Sequence, residues 1–366
     1  MRQKTGLGMA AAAAALLMAA GILPAHGKEF LLTGIKPDKL VLVDAKARKI
    51  ERIYTIPNAA PGQTTITASP DGKVAYAVVN RWESISGIDL DTGEQVFRAD
   101  LSTPEVRVKI MFGMDISPDG KELAVYESPV RLGVDAYEVL PSRISIYETS
   151  AGLNAKPVRQ FEVPRQITVL AYAKDGKTIY GMGRSLYGFD SRDGKIKVEH
   201  KTQKWDRPNF YPPDILDVWH QFEQAGVFST PYYTARSDMD LANPEAWWTG
   251  MLTLDLASGA FDLKEVANLD VFYFSTVVNP VRRNEAYGVY LTLAKLDVAA
   301  GKRLQSVDLD HAYYDVNVSG DGSELYLGGT MGDIAVYSSE TLEKLGAIHL
   351  PGAANMALSN LRVIDR

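Results

Sequence analysis

The chain has 366 residues, no cysteine and a formal net charge of −6. Without cysteine it can form no disulfide, no thiolate metal site and no covalent c-type haem linkage, so its stability must come from packing alone. The mildly acidic balance also excludes non-specific nucleic-acid binding, which rests on Lys and Arg neutralising phosphates.

The first residues read as an export signal. Arg2 and Lys4 form a basic start, Gly6 to Leu23 an apolar core, and Ala25-His26-Gly27 a small-residue cleavage site before Lys28. We therefore expect a signal peptide over 1–27, one domain over 28–366 and a periplasmic location. Losing Arg2 and Lys4 takes the formal charge from −6 to −8. No later stretch is long and apolar enough to span a bilayer.

Two turn patterns then alternate along the chain. The first is an apolar strand ending in a tight turn of the Ser-Pro-Asp-Gly kind, followed by a second strand. It occurs at Thr64 to Val79, Phe112 to Tyr126, Val169 to Gly181 and Tyr313 to Leu327, with weaker copies at Val277 to Val289 and near Phe222 to Phe228. A seventh copy is read at Met356 to Asn360, and Asn279, Ser319 and Ser359 fall forty residues apart. The second pattern is Asp-x-x-Thr-Gly, at Asp89, and its relatives at Asp190, Asp255 and Asp297, with looser versions at Asp44, Tyr147 and Tyr337. Asp-Gly and Thr-Gly pairs suit hairpins because Gly accepts positive φ at little steric cost. Seven copies of each pattern predict an all-β, seven-bladed β-propeller closed by N- and C-terminal strands sharing one blade. A pair of sandwiches is the alternative architecture.

With four strands per blade, A inside to D outside, the two short turn types occupy one face. The B–C and D–A connections share the other, and there the chain becomes irregular. Blade 3 carries an insertion from Glu127 to Arg143, and blade 5 a longer one from Ser229 to Gly250. The link from Trp205 to Pro213 is rich in aromatics and proline. Extra length on one face of a rigid scaffold is where function concentrates.

The candidate contact residues follow from that placement. Trp82, Tyr137, Trp205, Tyr211, Tyr232, Tyr233, Trp247 and Trp248 fall on irregular connections. They are either rims of a pocket or subunit interface, or packing that holds long loops down. Phe112 and Asp115 belong to the start of an inner strand and so to the channel wall, as does Asp315. Polar channel residues are either a ligand-facing mouth or ordinary channel polarity met by water. His200, His220, His311 and His349 show no metal-ligand spacing, and His311 and His349 are read as solvated outer-strand ends. No catalytic constellation or phosphate loop is complete in this chain.

The runs SPDGKVAYAVVNRWESISGIDLDTGE from Ser69, GMDISPDGKELAVYESPV from Gly113 and YPPDILDVWHQFEQAGVFSTPYYT from Tyr211 resemble the β subunits of quinohemoprotein amine dehydrogenases. The likeness runs along essentially all of the exported chain, and the aromatic blade-5 run is its more specific part. It implies a periplasmic heterotrimer whose β subunit is a propeller without a cofactor. A small γ subunit would carry cysteine tryptophylquinone, and an α subunit two c-type haems. Primary amines would be oxidised at the quinone, and the β chain would enclose part of the substrate cavity. Two other readings remain open: a stand-alone propeller binding a ligand or protein, and the heavy chain of a tryptophan tryptophylquinone amine dehydrogenase.

Overall fold

The computed structural model describes residues 27–366 apart from 61, 63, 64, 220, 354, 357 and 358. The leader read from the sequence, except Gly27, and His220 lie outside the described residues. Seven antiparallel sheets form a ring, each with a four-strand order running from the channel outwards. The expected seven-bladed propeller is the fold. Blade 1 combines an inner strand from the C-terminus, Arg362–Asp365, with Glu29–Ile35, Lys39–Asp44 and Lys49–Thr55.

Closure differs from the sequence reading in one respect. Of the copy at Met356 to Asn360, residues 357 and 358 lie outside the described residues, and Ser359 and Asn360 precede the inner strand instead of ending it. That strand, Arg362–Asp365, pairs with Glu29–Leu32. The A–B connection of this blade is thus the gap between the chain ends. It is bridged by the Lys28 N–H to the Arg366 carbonyl, 2.8 Å, and the reverse bond at 3.1 Å. Turn residues alone could not distinguish a segment before a strand from one after it.

Packing explains why strands B and C lack clean alternation. Each blade is covered on both faces by its neighbours, so a strand such as Val74–Val79 (VAYAVV) is buried almost throughout. Strands buried on both faces read as continuous apolar runs. Outer strands face solvent on one edge and are largely exposed, as Ile196–His200 is. Seven separate apolar clusters fill the spaces between adjacent blades. One of them joins Leu31 and Val41 of blade 1 to Tyr326 and Val336 of blade 7, which closes the ring.

The insertions are built in good part from strand: more than half of the blade 3 insertion and half of the blade 5 one. In blade 3 the B strand runs from Glu122 to Leu132, well past its neighbour C, Arg143–Glu148. Beyond Glu127 it pairs with Tyr137–Val139 on one side and Val106–Lys109 on the other, making a three-stranded arm. Glu127, almost wholly buried at the root, pairs with Arg143 at 2.7 Å and accepts from the Tyr147 hydroxyl at 2.9 Å. In blade 5, Val227–Ala235 and Trp247–Asp255 are nine residues each and pair along their full length. Only the stretch 236–246 between them is loop.

Candidate functional site

The face bearing the B–C and D–A connections, the loop face, differs in chemistry from the face of short turns, the turn face. Among the described residues, exposed large apolar side chains concentrate on the loop face. Blade 3 contributes Val134, Tyr137 and Val139, blade 5 Leu241 and Trp247, blade 6 Leu291 and blade 7 Met331. The inter-blade links add Met111, Tyr211 and Phe272. On the turn face the same class is limited to Leu153 and Val281, and the remainder lie on or beside outer strands. Tyr137 is 75% exposed and Met331 57% exposed. Apolar surface gathered on one side of a molecule marks an interaction surface.

At the centre of the loop face the channel mouth is lined by aromatic rings. Phe272 stacks on Tyr233 with centroids 4.6 Å apart and meets Phe274 at 5.3 Å. Phe274 stacks on Tyr314 at 4.5 Å and packs against Tyr290 at 4.5 Å. Trp219 joins this group to blade 3, lying 5.1 Å from Tyr314 and 6.4 Å from Phe112. Offset and edge-on pairs of this kind each add about 1 kcal/mol beyond the area they bury.

Blade 5 supplies the element that fills the channel. Its inner strand is only Asp214–Ile215. Beyond Leu216, which still bonds the Pro231 carbonyl, the described residues up to Gly226 leave the sheet and cross to other blades. The Thr168 hydroxyl of the blade 4 link donates to Asp217. Gln221 donates to Asp315 of blade 7. Glu223 pairs with Arg362 of blade 1 at 3.1 Å and accepts from Asn317 at 2.7 Å and from the Val363 N–H at 3.2 Å. This departure explains why the repeat is faint near Phe222 to Phe228.

The acids in the channel are strongly perturbed. Asp115 and Asp315 are both pushed up to about 7, chiefly by burial, with Arg362 pulling down and Glu223 pushing up. Asp115 accepts from the Tyr172 N–H at 2.7 Å, and Asp315 from the Leu361 N–H at 2.6 Å. Nearer the loop face, burial pushes Asp217 up to about 6. A cavity of about 490 Å³ opens on the turn face between the A–B turns. Its wall includes Asp115, Glu223, Arg362 and Phe222, and its rim Ser69, Pro118 and Lys174. The channel therefore has an aromatic end on the loop face, a polar middle and a pocket on the turn face.

The residues singled out from sequence fall into three groups. Trp82, Trp205 and Tyr232 pack inwards: Trp82 against the core between blades 2 and 3, and Trp205 edge-on to the buried Tyr232 at 5.7 Å. Arg207 lies 4.8 Å over the Trp205 ring and ion-pairs with Glu265, which also takes the Tyr232 hydroxyl at 2.8 Å. Tyr137, Tyr211 and Trp247 are exposed, and Trp248 is half-buried beside them on the blade 5 hairpin. Phe112 and Tyr233 join the aromatic mouth, whereas Asp115 lies deeper and faces the opposite pocket. His311 is not a solvated strand end. It bonds Asp333 at 3.0 Å and packs on Tyr313.

Sequence reasoning missed Trp219, Phe272, Phe274, Tyr290 and Tyr314, and the Arg362–Glu223 pair. A signal existed for two of these rings, Phe274 and Tyr314, which share a register position with Phe112. Phe112, Phe274 and Tyr314 each stand five places before the first residue of an A–B turn, at Ser117, Asn279 and Ser319. In these three blades that register position faces the channel mouth.

No protein-family profile and no curated protein sequence matches the chain. Solved structures share its fold. One is Kuenenia stuttgartiensis hydrazine synthase, 13% identical, TM-score 0.56, with 92% of this chain and 99% of that chain covered. A protein of unknown function from Desulfotomaculum acetoxidans is 11% identical, TM-score 0.59, over 92% and 98%. Apo AztD from Citrobacter koseri is 14% identical, TM-score 0.50, over 92% and 98%. At such identities the likeness extends to the fold alone.

Proposed function

We propose that this chain is the cofactor-free propeller subunit of a periplasmic amine-oxidising complex of the quinohemoprotein amine dehydrogenase type. In this reading the loop face docks a quinone-bearing small subunit and a dihaem cytochrome subunit. The observation that carries it is the one-sided distribution of exposed apolar side chains around an aromatic channel mouth. Trp and Tyr supply large, rigid contact area, and anchors near the centre of a patch dominate binding energy. The blade 3 arm and the blade 5 hairpin would flank the docked subunits. The occurrence of the same fold in hydrazine synthase supports reading this propeller as part of an enzyme.

The division of labour follows from composition. A chain without cysteine cannot carry a cysteine-linked quinone or a thioether-linked haem. Its own contribution would be to cover one wall of the amine pocket and exclude water, which strengthens electrostatic contacts there. The test is purification of the native protein from the periplasm. A haem spectrum and a small quinone-staining band should travel with this chain, while the chain expressed alone should lack both. Amine dehydrogenase activity in the isolated chain would overturn the proposal.

A further inference from the structure

We propose that the cavity on the turn face binds a small organic cation, an ammonium group on a short apolar stem, with Asp115 as its counter-ion. The cavity opens on the side opposite the loop face, so this site does not depend on the docking reading.

Charge balance within the channel leads to that ligand. Asp115 is 5% exposed, lines the cavity and forms no ion pair among the described residues. The nearest buried cation, Arg362, is already committed. Its Nε donates to the Ile66 carbonyl at 2.8 Å and its guanidinium pairs with Glu223 at 3.1 Å. Asp315 lies deeper and is likewise without an ion pair. Three acids thus surround one guanidinium, and two of them, Asp115 and Asp315, are buried. A buried carboxylate without a counter-ion is costly, and an entering cation relieves that cost. An anion would find the only buried guanidinium of the wall occupied. Arg283 at the rim is held by Asp255 at 2.8 Å.

The rest of the lining sets the shape of the ligand. Ile116, Phe222, Ala225 and Ile364 give the wall apolar patches suited to a short hydrocarbon stem. Lys174, exposed at the rim, is a like charge that weakens entry of a cation. A volume of about 490 Å³ is at the lower end for small-molecule sites and has room for one short chain. A free alkylammonium ion and the tip of a lysine side chain share this chemistry.

The test is a titration of the full exported chain with n-butylammonium chloride, against potassium chloride at equal ionic strength. It is followed by calorimetry and by amide chemical shifts. The expected result is saturable one-to-one binding, with shifts grouped on the cavity wall around Ala225, Gly226 and Ile364. Asp115→Asn should weaken binding by at least about tenfold, the loss of roughly one direct charge pair. Lys174→Ala should tighten it. A parallel titration with Nα-acetyl-lysine methylamide separates the sources: equal binding points to a lysine of a protein partner, and binding of the free amine alone to a metabolite. No saturable binding of either compound overturns the proposal. So do shifts located on the loop face, or affinity unchanged in Asp115→Asn. Should that variant fail to fold, the wild-type shift map decides.

Discussion

At the scale of single residues, the channel acids make the clearest physical statement. An unfolded aspartate titrates near 3.9. Asp115 and Asp315 titrate near 7 in the folded chain because burial disfavours their charge. Between those values the folded state keeps protons that the unfolded state has released. Both groups therefore make stability fall as pH rises from about 4 to 7 and level off above that. The groups facing them are Arg362, which opposes the shift, and Glu223, which adds to it. Asp315→Asn has no proton to lose and keeps an acceptor for the Leu361 N–H. Its urea midpoint should show a shallower decline across this window than that of the wild type. An unchanged slope would show that burial does not act on this carboxyl.

Arg362 tests the same cluster from the other side. It ties the last strand to the Ile66 carbonyl and to Glu223. Arg362→Met should cost about 3 kcal/mol, since it leaves Glu223 without its cation in a largely buried site. Denaturant unfolding measures this directly. Neither residue stood out in the sequence, because Arg362 follows a turn-like run that reads as the end of the repeat. Asp115 was legible as a channel residue, but its isolation from any cation depends on where Arg362 spends its charge.

At the scale of elements, the repeat was readable where it is regular and misleading where one blade departs from it. Short turns such as Ser69-Pro-Asp-Gly72 fixed blades 2, 3 and 7, because their glycines take up positive φ, as Gly72 does at 66°. The blade 5 insertion, Ser229 to Gly250, looked like loop and is half strand, since its Thr, Tyr and Trp residues suit a pleated surface. Its twist and packing rest on one close approach. Gly250 lies directly beneath the Tyr232 ring on the neighbouring strand, and an added Cβ would collide with that ring. Gly250→Ala should therefore destabilise the domain by about 2 kcal/mol through overpacking. A thermal melt showing no loss would contradict this packing. The 216–226 segment could not be deduced from pattern, because its side chains serve five different blades instead of one sheet.

The C-terminal strand is a second element with a sharp expectation. Arg362–Asp365 is the innermost strand of blade 1, and its apolar residues fill both adjacent cores. Truncation after Asn360 would leave the edge of Glu29–Ile35 unpaired and both cores open. The truncated chain should lose cooperative unfolding or aggregate. A sharp melt close to that of the full chain would show that ring closure matters little.

At the scale of the whole molecule, seven inter-blade cores make a rigid ring that presents two unlike faces. The ring and its seven blades were legible from two alternating turn patterns. The distinction between faces was legible only as a difference in loop length. Its chemical content, apolar on one side and short polar turns on the other, emerges from the exposure of residues such as Tyr137, Leu291 and Met331. The central claim is that the loop face is the one that holds partner subunits. It is tested most directly by two double variants assayed for retention of the haem-bearing partner during purification. Tyr137→Asp with Met331→Asp alters the loop face, and Leu153→Asp with Val281→Asp alters the turn face. The loop-face variant should lose the haem band while the turn-face variant keeps it. Retention by the loop-face variant together with loss by the turn-face variant would contradict the claim.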